Sequence, residues 1–295
     1  KKKKKKKKKI RENFFENFFF RFSKKNFRRN LSYDEYITHA KFLDHRSRGS
    51  GDTGCDTQTQ DEDLLYRCHK LTTNGWEQVA SMSIGATSQT GVAINDKLWL
   101  TGLDYLEYTE FVSLSGDVSP AHLLPSKNHH SHCLVKTSES TVMMIGGSQD
   151  SEIARKTYFL DVLTGDWTDG PDMIKARSGH GCGLFDVDGM KYVIVVGGVD
   201  VSDDRYQYLS STEYFESMEW KDDASLPVAL ADPEVVSLGN RLVVIGGHQA
   251  PPYNALDIYE YNCNVDYCGW VTLDVKLTEQ RNDIVAMPIP DKLVT

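Results

Sequence analysis

Short apolar runs closed by paired glycines recur along the chain: Met143-Met144-Ile145-Gly146-Gly147, Val195-Val196-Gly197-Gly198 and Val244-Ile245-Gly246-Gly247. Leu98-Trp99-Leu100-Thr101-Gly102-Leu103 is an altered upstream copy. The second glycine positions, 103, 147, 198 and 247, lie 44, 51 and 49 residues apart, a period of radial or linear repeat architectures. Around each run the apolar residues alternate with period two, the signature of half-buried strands, and helical periodicity never persists for ten residues. Each unit therefore reads as four short strands. First strands are expected at 87–94, 132–136, 179–185, 234–238 and 283–287, and second strands run into the glycine pairs. Third strands carry alternating aromatics at 109–112, 157–160, 212–215 and 258–261, and fourth strands begin at Trp76, Trp167, Trp220 and Trp270.

A unit of this size cannot bury an apolar face alone, so the copies must pack on one another. Four antiparallel strands per unit with turn residues between them predict an all-β propeller of four-stranded blades. The structural markers are Gly146, Gly147, Gly197, Gly198, Gly246 and Gly247, where a Cβ would obstruct close backbone approach, and the four tryptophans, which wedge between sheets. Pro125, Pro171 and Pro227 follow fourth strands, where they cost no ladder hydrogen bond.

The run Trp167-x2-Gly-Pro-x-Met-x3-Arg177-x2-His180-Gly, then Tyr192-Val-Ile-Val-Val-Gly-Gly198, then Ser211-Thr-Glu-Tyr-Phe closely resembles the kelch repeats of animal kelch-like β-propeller proteins. The resemblance covers residues 64–295. The first unit departs from it with Leu103 at the second glycine and no arginine before its first strand. The second unit lacks a tryptophan near 117–125, a contact expected to weaken or to be filled by Leu123, and the fourth has Leu230 in place of arginine. Five blades are visible, the fifth a composite of strands at 64–69 and 76–79 with strands at 283–287 and 292–295. The alternative is a six-bladed ring with a truncated first blade.

Residues 1–63 form a separate low-complexity leader, expected to be disordered or a translation artefact, with a short helix at 31–43. Its first thirty residues hold 15 Lys and Arg against two Glu, and the remainder carries 19 basic against 40 acidic residues, a charge of -21. Such a body repels nucleic acid and anionic lipid, so neither is an expected partner. No run approaches the eighteen apolar residues of a membrane helix. Cys133 and Cys182 read as small buried thiols in successive first strands, while Cys263–Cys268 and Cys55–Cys68 are spaced for local disulfides. A cytoplasmic location is the leading expectation and secretion the alternative.

Catalytic signatures are sparse. Asn128-His129-His130-Ser131-His132 holds three histidines, read as a loop entering a strand in which His132 matches His180. The resemblance also reaches propeller oxidases, which hold copper through Tyr and His beside a Tyr–Cys cross-link, for which Tyr261 near Cys263 and Tyr267 beside Cys268 are the candidates. It reaches sialic acid mutarotases too, which use Glu and Arg in the central funnel; Arg155, Arg177 and Glu213 are the side chains available. No catalytic residue, metal or cofactor is assigned. The expectation is a non-enzymatic module that binds a protein or peptide, favouring a basic one, through loops after the glycine pairs. Tyr105, Asp150, Arg155, Arg177, Asp200, Arg205, Tyr206, His248 and Tyr253 are its candidate contacts. The alternatives are a secreted recognition protein and a sugar-active propeller enzyme of oxidase or mutarotase type. A role as a ubiquitin-ligase component would require an additional N-terminal domain.

Overall fold

The computed structural model describes residues 18–20, 67–72, 75–83, 286–288 and 90–278, the last with interruptions at 96, 103–106, 114, 151, 188, 203–204, 239–240, 250–254 and 264–267. Apart from 18–20, the leader, with its expected helix at 31–43, lies outside these residues, as does the expected strand at 292–295.

The described chain is all-β. Blade 1 consists of Thr90–Ile94, Lys97–Thr101, Glu110–Ser113 and Val118–Pro120; blade 2 of Cys133–Lys136, Thr141–Ile145, Thr157–Asp161 and Trp167–Asp169. Blade 3 consists of Gly181–Val187, Met190–Val196, Thr212–Glu216 and Glu219–Asp223; blade 4 of Glu234–Ser237, Leu242–Ile245, Asp257–Cys263 and Cys268–Lys276. Each is antiparallel, and its strands pair in chain order. First strands of successive blades adjoin, which arranges the sheets around an axis. The hairpin of Arg67–Thr72 and Gly75–Ser81 packs on blade 1, while Ala286–Pro288 adjoins the first strand of blade 4 and pairs with Phe18–Phe20. Among the described residues these remain two separate two-stranded sheets, and the strand partner of Ala286–Pro288 is Phe18–Phe20 of the leader where the composite blade was expected to join it to the hairpin.

Second strands are apolar on both faces because each blade is covered by a neighbour on either side. Met143, Met144 and Ile145 are all fully buried. Val135, Met143 and Ile145 of blade 2 share one cluster with Val193, Val195 and Trp220 of blade 3, so the core lies between sheets. Tryptophan fixes these seams by reaching backward. The indole N–H of Trp167 donates to Leu123 O (2.7 Å), that of Trp220 to Pro171 O (3.1 Å) and that of Trp270 to Thr212 Oγ1 (2.9 Å). Trp76 lies in the hairpin strand Gly75–Ser81. Blade 1 lacks this wedge, and the expectation that Leu123 replaces it is corrected: its side chain is half exposed, and Val118 packs against the hairpin core instead.

Gly146 and Gly147 have φ of 55° and 98°, in the left-handed region that excludes most side chains. A Cβ on Gly146 would stand 2.6 Å from Arg177 O of the next blade's entry, and one on Gly147 2.7 Å from His130 O of its own. The pair is therefore the point where one blade meets the link into the next.

Cys133 and Cys182 are joined in a disulfide across the first strands of blades 2 and 3, and Cys263 and Cys268 close the outer hairpin of blade 4. Cys133 and Cys182 are thus not the buried thiols expected. Cys68 is a buried free thiol rather than half of a local bridge. Two disulfides point to an oxidising environment, so the cytoplasmic expectation is corrected in favour of the secreted alternative. Among the described residues no helix is long and apolar enough to cross a membrane.

Candidate functional site

The loops beyond the glycine pairs are ordered by small sheets of their own. In blade 2, Ser148–Gln149 pairs with Glu152–Ile153 on one side and with His129–His130 on the other. In blade 3, Val199–Ser202 and Arg205–Tyr208 form a hairpin with Val199 opposite Tyr208, Asp200 opposite Gln207 and Val201 opposite Tyr206. Residues directly opposite share a side of a sheet, so Val199, Val201, Tyr206 and Tyr208 stand on one side and Asp200 and Gln207 on the other. Tyr206 is 75% exposed. His248 of blade 4 stacks on Tyr208 with ring centroids 5.7 Å apart and bridges Ala231 through its backbone.

The predicted contact residues divide sharply. Arg155, Arg205 and Tyr206 are exposed, and Asp200 and His248 are half-buried. Asp150 is exposed in a turn at φ 48° and accepts from Asn128 Nδ2 at 2.8 Å. Tyr105 and Tyr253 lie outside the described residues. Arg177 is no surface contact at all. Its side chain is fully buried; Nη2 meets Glu213 Oε1 at 2.6 Å, and Nη1 donates to Gly197 O (2.7 Å) and Ser211 O (3.2 Å). Glu213 also accepts from the backbone N–H groups of Ile174 and Lys175, so both charges are consumed inside blade 3.

The histidine run is likewise architectural. His129 shares hydrogen bonds with Gly146 O (2.7 Å) and Ser126 Oγ (2.9 Å), and His132 Nε2 lies 2.7 Å from Thr101 Oγ1, tying blade 2 to blade 1. Burial holds His129 below the ordinary imidazole range, and burial together with the neighbouring histidines holds His132 well below it. Among the described residues no group of three or more His, Cys, Asp and Glu side chains is gathered as a metal site would need. The oxidase candidates come apart here. Cys263 and Cys268 are bonded to each other, and the buried Tyr261 hydroxyl donates to Asp223.

One carboxyl group that the sequence reading passed over stands out. Glu110, at the second residue of its unit's aromatic segment, is 4% exposed, and burial raises its carboxyl above the usual range while the Ser83 N–H opposes that shift. Its position matches that of Glu213, and alignment of the two units would have revealed that Ala86 stands where Arg177 does.

The chain is similar in fold to YjhT. The structure titled "Structure of YjhT" superposes with a TM-score of 0.61 at 13% sequence identity, covering 70% of this chain and 75% of that one. No family model matches the chain, and no curated protein matches it. This likeness corrects the expectations of a non-catalytic binding module and of no enzymatic activity.

Proposed function

We propose that this protein is a sugar-active propeller enzyme of the mutarotase type, working on a reducing sugar at the face beyond the glycine pairs. The kelch character of the repeat belongs to the same reading, supported by the glycine pairs, the reaching tryptophans and Arg177. Within the sugar-active class, proton transfer is favoured over Tyr–Cys radical oxidation because both candidate cysteines are committed to a disulfide. The observation that carries the reading is the side of the blade 3 hairpin next to His248, where Tyr206 is exposed and Tyr208 stacks on the imidazole.

Anomer exchange needs one base and one acid. A base takes the proton of the anomeric hydroxyl while an acid protonates the ring oxygen, the bond from the anomeric carbon to the ring oxygen breaks, and the freed aldehyde rotates before the reverse transfers close it. No electron is gained or lost. The His248 imidazole, beside Tyr208, can supply one of these two groups, since an imidazole both takes and gives a proton. Tyr206 offers an aromatic face to the apolar side of a pyranose, and Arg155 offers donors to its hydroxyl or carboxylate groups.

The test is anomer interconversion followed by exchange NMR across neutral, N-acetylated and acidic reducing sugars. Wild-type protein should accelerate exchange of at least one class, and His248→Ala should lower that acceleration by about a hundredfold. Exchange at the buffer rate for every sugar overturns the proposal, as does full activity in His248→Ala.

A further inference from the structure

The links into the blades superpose through their hydrogen bonds. Leu124, Met173, Leu226 and Leu277 donate their backbone N–H groups to the carbonyls of Glu107, Arg155, Ser210 and Leu256. Met82 takes this place ahead of blade 1, lying six residues after Trp76 as Met173 lies six after Trp167. The following residue then meets a carboxyl group twice: Ile174 N–H reaches Glu213 at 2.7 Å, and Ser83 N–H reaches both oxygens of Glu110 at 3.2 and 3.3 Å.

Four residues after the link's apolar anchor, the chain places Ala86, Asn128, Arg177 and Leu230 for blades 1 to 4. The third-strand residues at the Glu213 position are, in the same order, Glu110, Tyr158, Glu213 and Tyr259. Tyrosine needs no counter-charge, and blade 3 supplies one to its glutamate. Blade 1 sets a glutamate without an arginine. None of the ion pairs among the described residues involves Glu110. A carboxylate buried without a cation is costly, and taking up a proton removes that cost.

We infer that Glu110 is a proton-operated latch between blade 1 and the Arg67–Ser81 hairpin, closed as the carboxylic acid and loosened as the carboxylate. The hairpin reaches it through Ser83, whose N–H and hydroxyl donate to the carboxyl group. These bonds favour the carboxylate, so what loosens the seam is the charge left buried among its apolar side chains and not loss of the Ser83 contact. Cys68, Ala80 and Met82 pack with Leu98, Leu100 and Val112 around the same seam. Among the described residues, Cys68 is the titratable group coupled to Glu110. Cys68, pushed up to about 12 by burial and then by Glu110 itself, remains a neutral thiol, and the register partners Leu100 and Pro120 do not titrate.

The folded chain holds this proton where the unfolded chain, at the ordinary 4.5, releases it. The associated stability is therefore complete below 4.5 and is lost as pH rises through the higher folded value. The buried histidines act in the opposite direction, and comparison with Glu110→Gln cancels them.

Urea titrations of wild type and Glu110→Gln from about pH 4.5 to about pH 8 test the latch. The folding constant of wild type should fall relative to the variant by up to about tenfold per pH unit, one proton's worth, within that window. A constant ratio, or a wild type that gains on the variant toward pH 8, overturns the inference. Infrared spectra of the ¹³C-glutamate-labelled wild type provide a reading that needs no variant: a protonated glutamate carboxyl should persist where an ordinary glutamate, at 4.5, is fully ionised. Its absence overturns the latch equally.

Discussion

Arg177→Leu offers the most discriminating perturbation of the fold. The guanidinium is fully buried and engages Gly197 O, Ser211 O, Ser211 Oγ and Glu213, so its removal strands a carboxylate that is itself fully buried. Glu213 would keep only the N–H groups of Ile174 and Lys175. Removing one partner of a buried ion pair costs about 3–5 kcal/mol, because the remaining charge has no replacement solvent. With a urea slope of about 2 kcal/mol/M, the unfolding midpoint should drop by roughly 2 M.

The chain itself contains the rescue. Leu230 and Tyr259 of blade 4 are at the matching positions: Gly147 N–H donates to Arg177 O and Gly198 N–H to Leu230 O, at 2.9 and 2.7 Å. Both blade 4 side chains are buried. The double variant Arg177→Leu/Glu213→Tyr should therefore return to within about 1 kcal/mol of wild type, since a buried pair exchanged for packed apolar groups is often neutral. Urea titration of the two single variants and the double variant completes the cycle. A cost below about 1 kcal/mol for Arg177→Leu, or a double variant no more stable than that single, refutes the reasoning.

Two further outcomes follow from the seams. Trp220→Ala empties a buried site between Pro171 and Phe215 and should cost about 3–5 kcal/mol in denaturant titration; a loss under about 1 kcal/mol would contradict the wedge. Cys133→Ser/Cys182→Ser opens a link between residues 49 apart and should cost about 4 kcal/mol by chain entropy, against about 2 for the Cys263–Cys268 pair, 5 apart. Equal losses in thermal melts would show that the inter-blade bridge does not constrain the ring.

The strands and glycine pairs were legible because their pattern is local: period-two alternation and positive φ are written in neighbouring residues. The predicted segment at 212–215 is observed as 212–216, and that at 234–238 as 234–237. Contacts between units were less legible. Cys133 and Cys182 become neighbours only when two first strands adjoin, and spacing along the chain gives no hint of it. Arg177 read as a surface residue because its loop, Ile174-Lys175-Ala176-Arg177-Ser178, is polar, but a glutamate 36 positions later draws it inside. The hairpin over 199–208 lacked a signal for the opposite reason: its loop is rich in Asp and Ser, and pairing emerged from Val199, Val201, Tyr206 and Tyr208 sharing a side.

The architecture also decides which polar groups remain for chemistry. Arg177 and Glu213 neutralise each other, His129 and His132 are spent on carbonyl and hydroxyl partners between blades, and Tyr261 is turned toward Asp223. Removing any of these should first change stability, and activity only through it. Asp200, Arg205, Tyr206 and His248 stand on loops whose removal would leave the second-strand cores intact. Substitutions there should change sugar turnover while the melting transition stays in place, which separates a catalytic hairpin from one that merely covers the blade ends. A hairpin that only covered blade 3 would show the reverse, with His248→Ala lowering the melting temperature and leaving anomer exchange untouched.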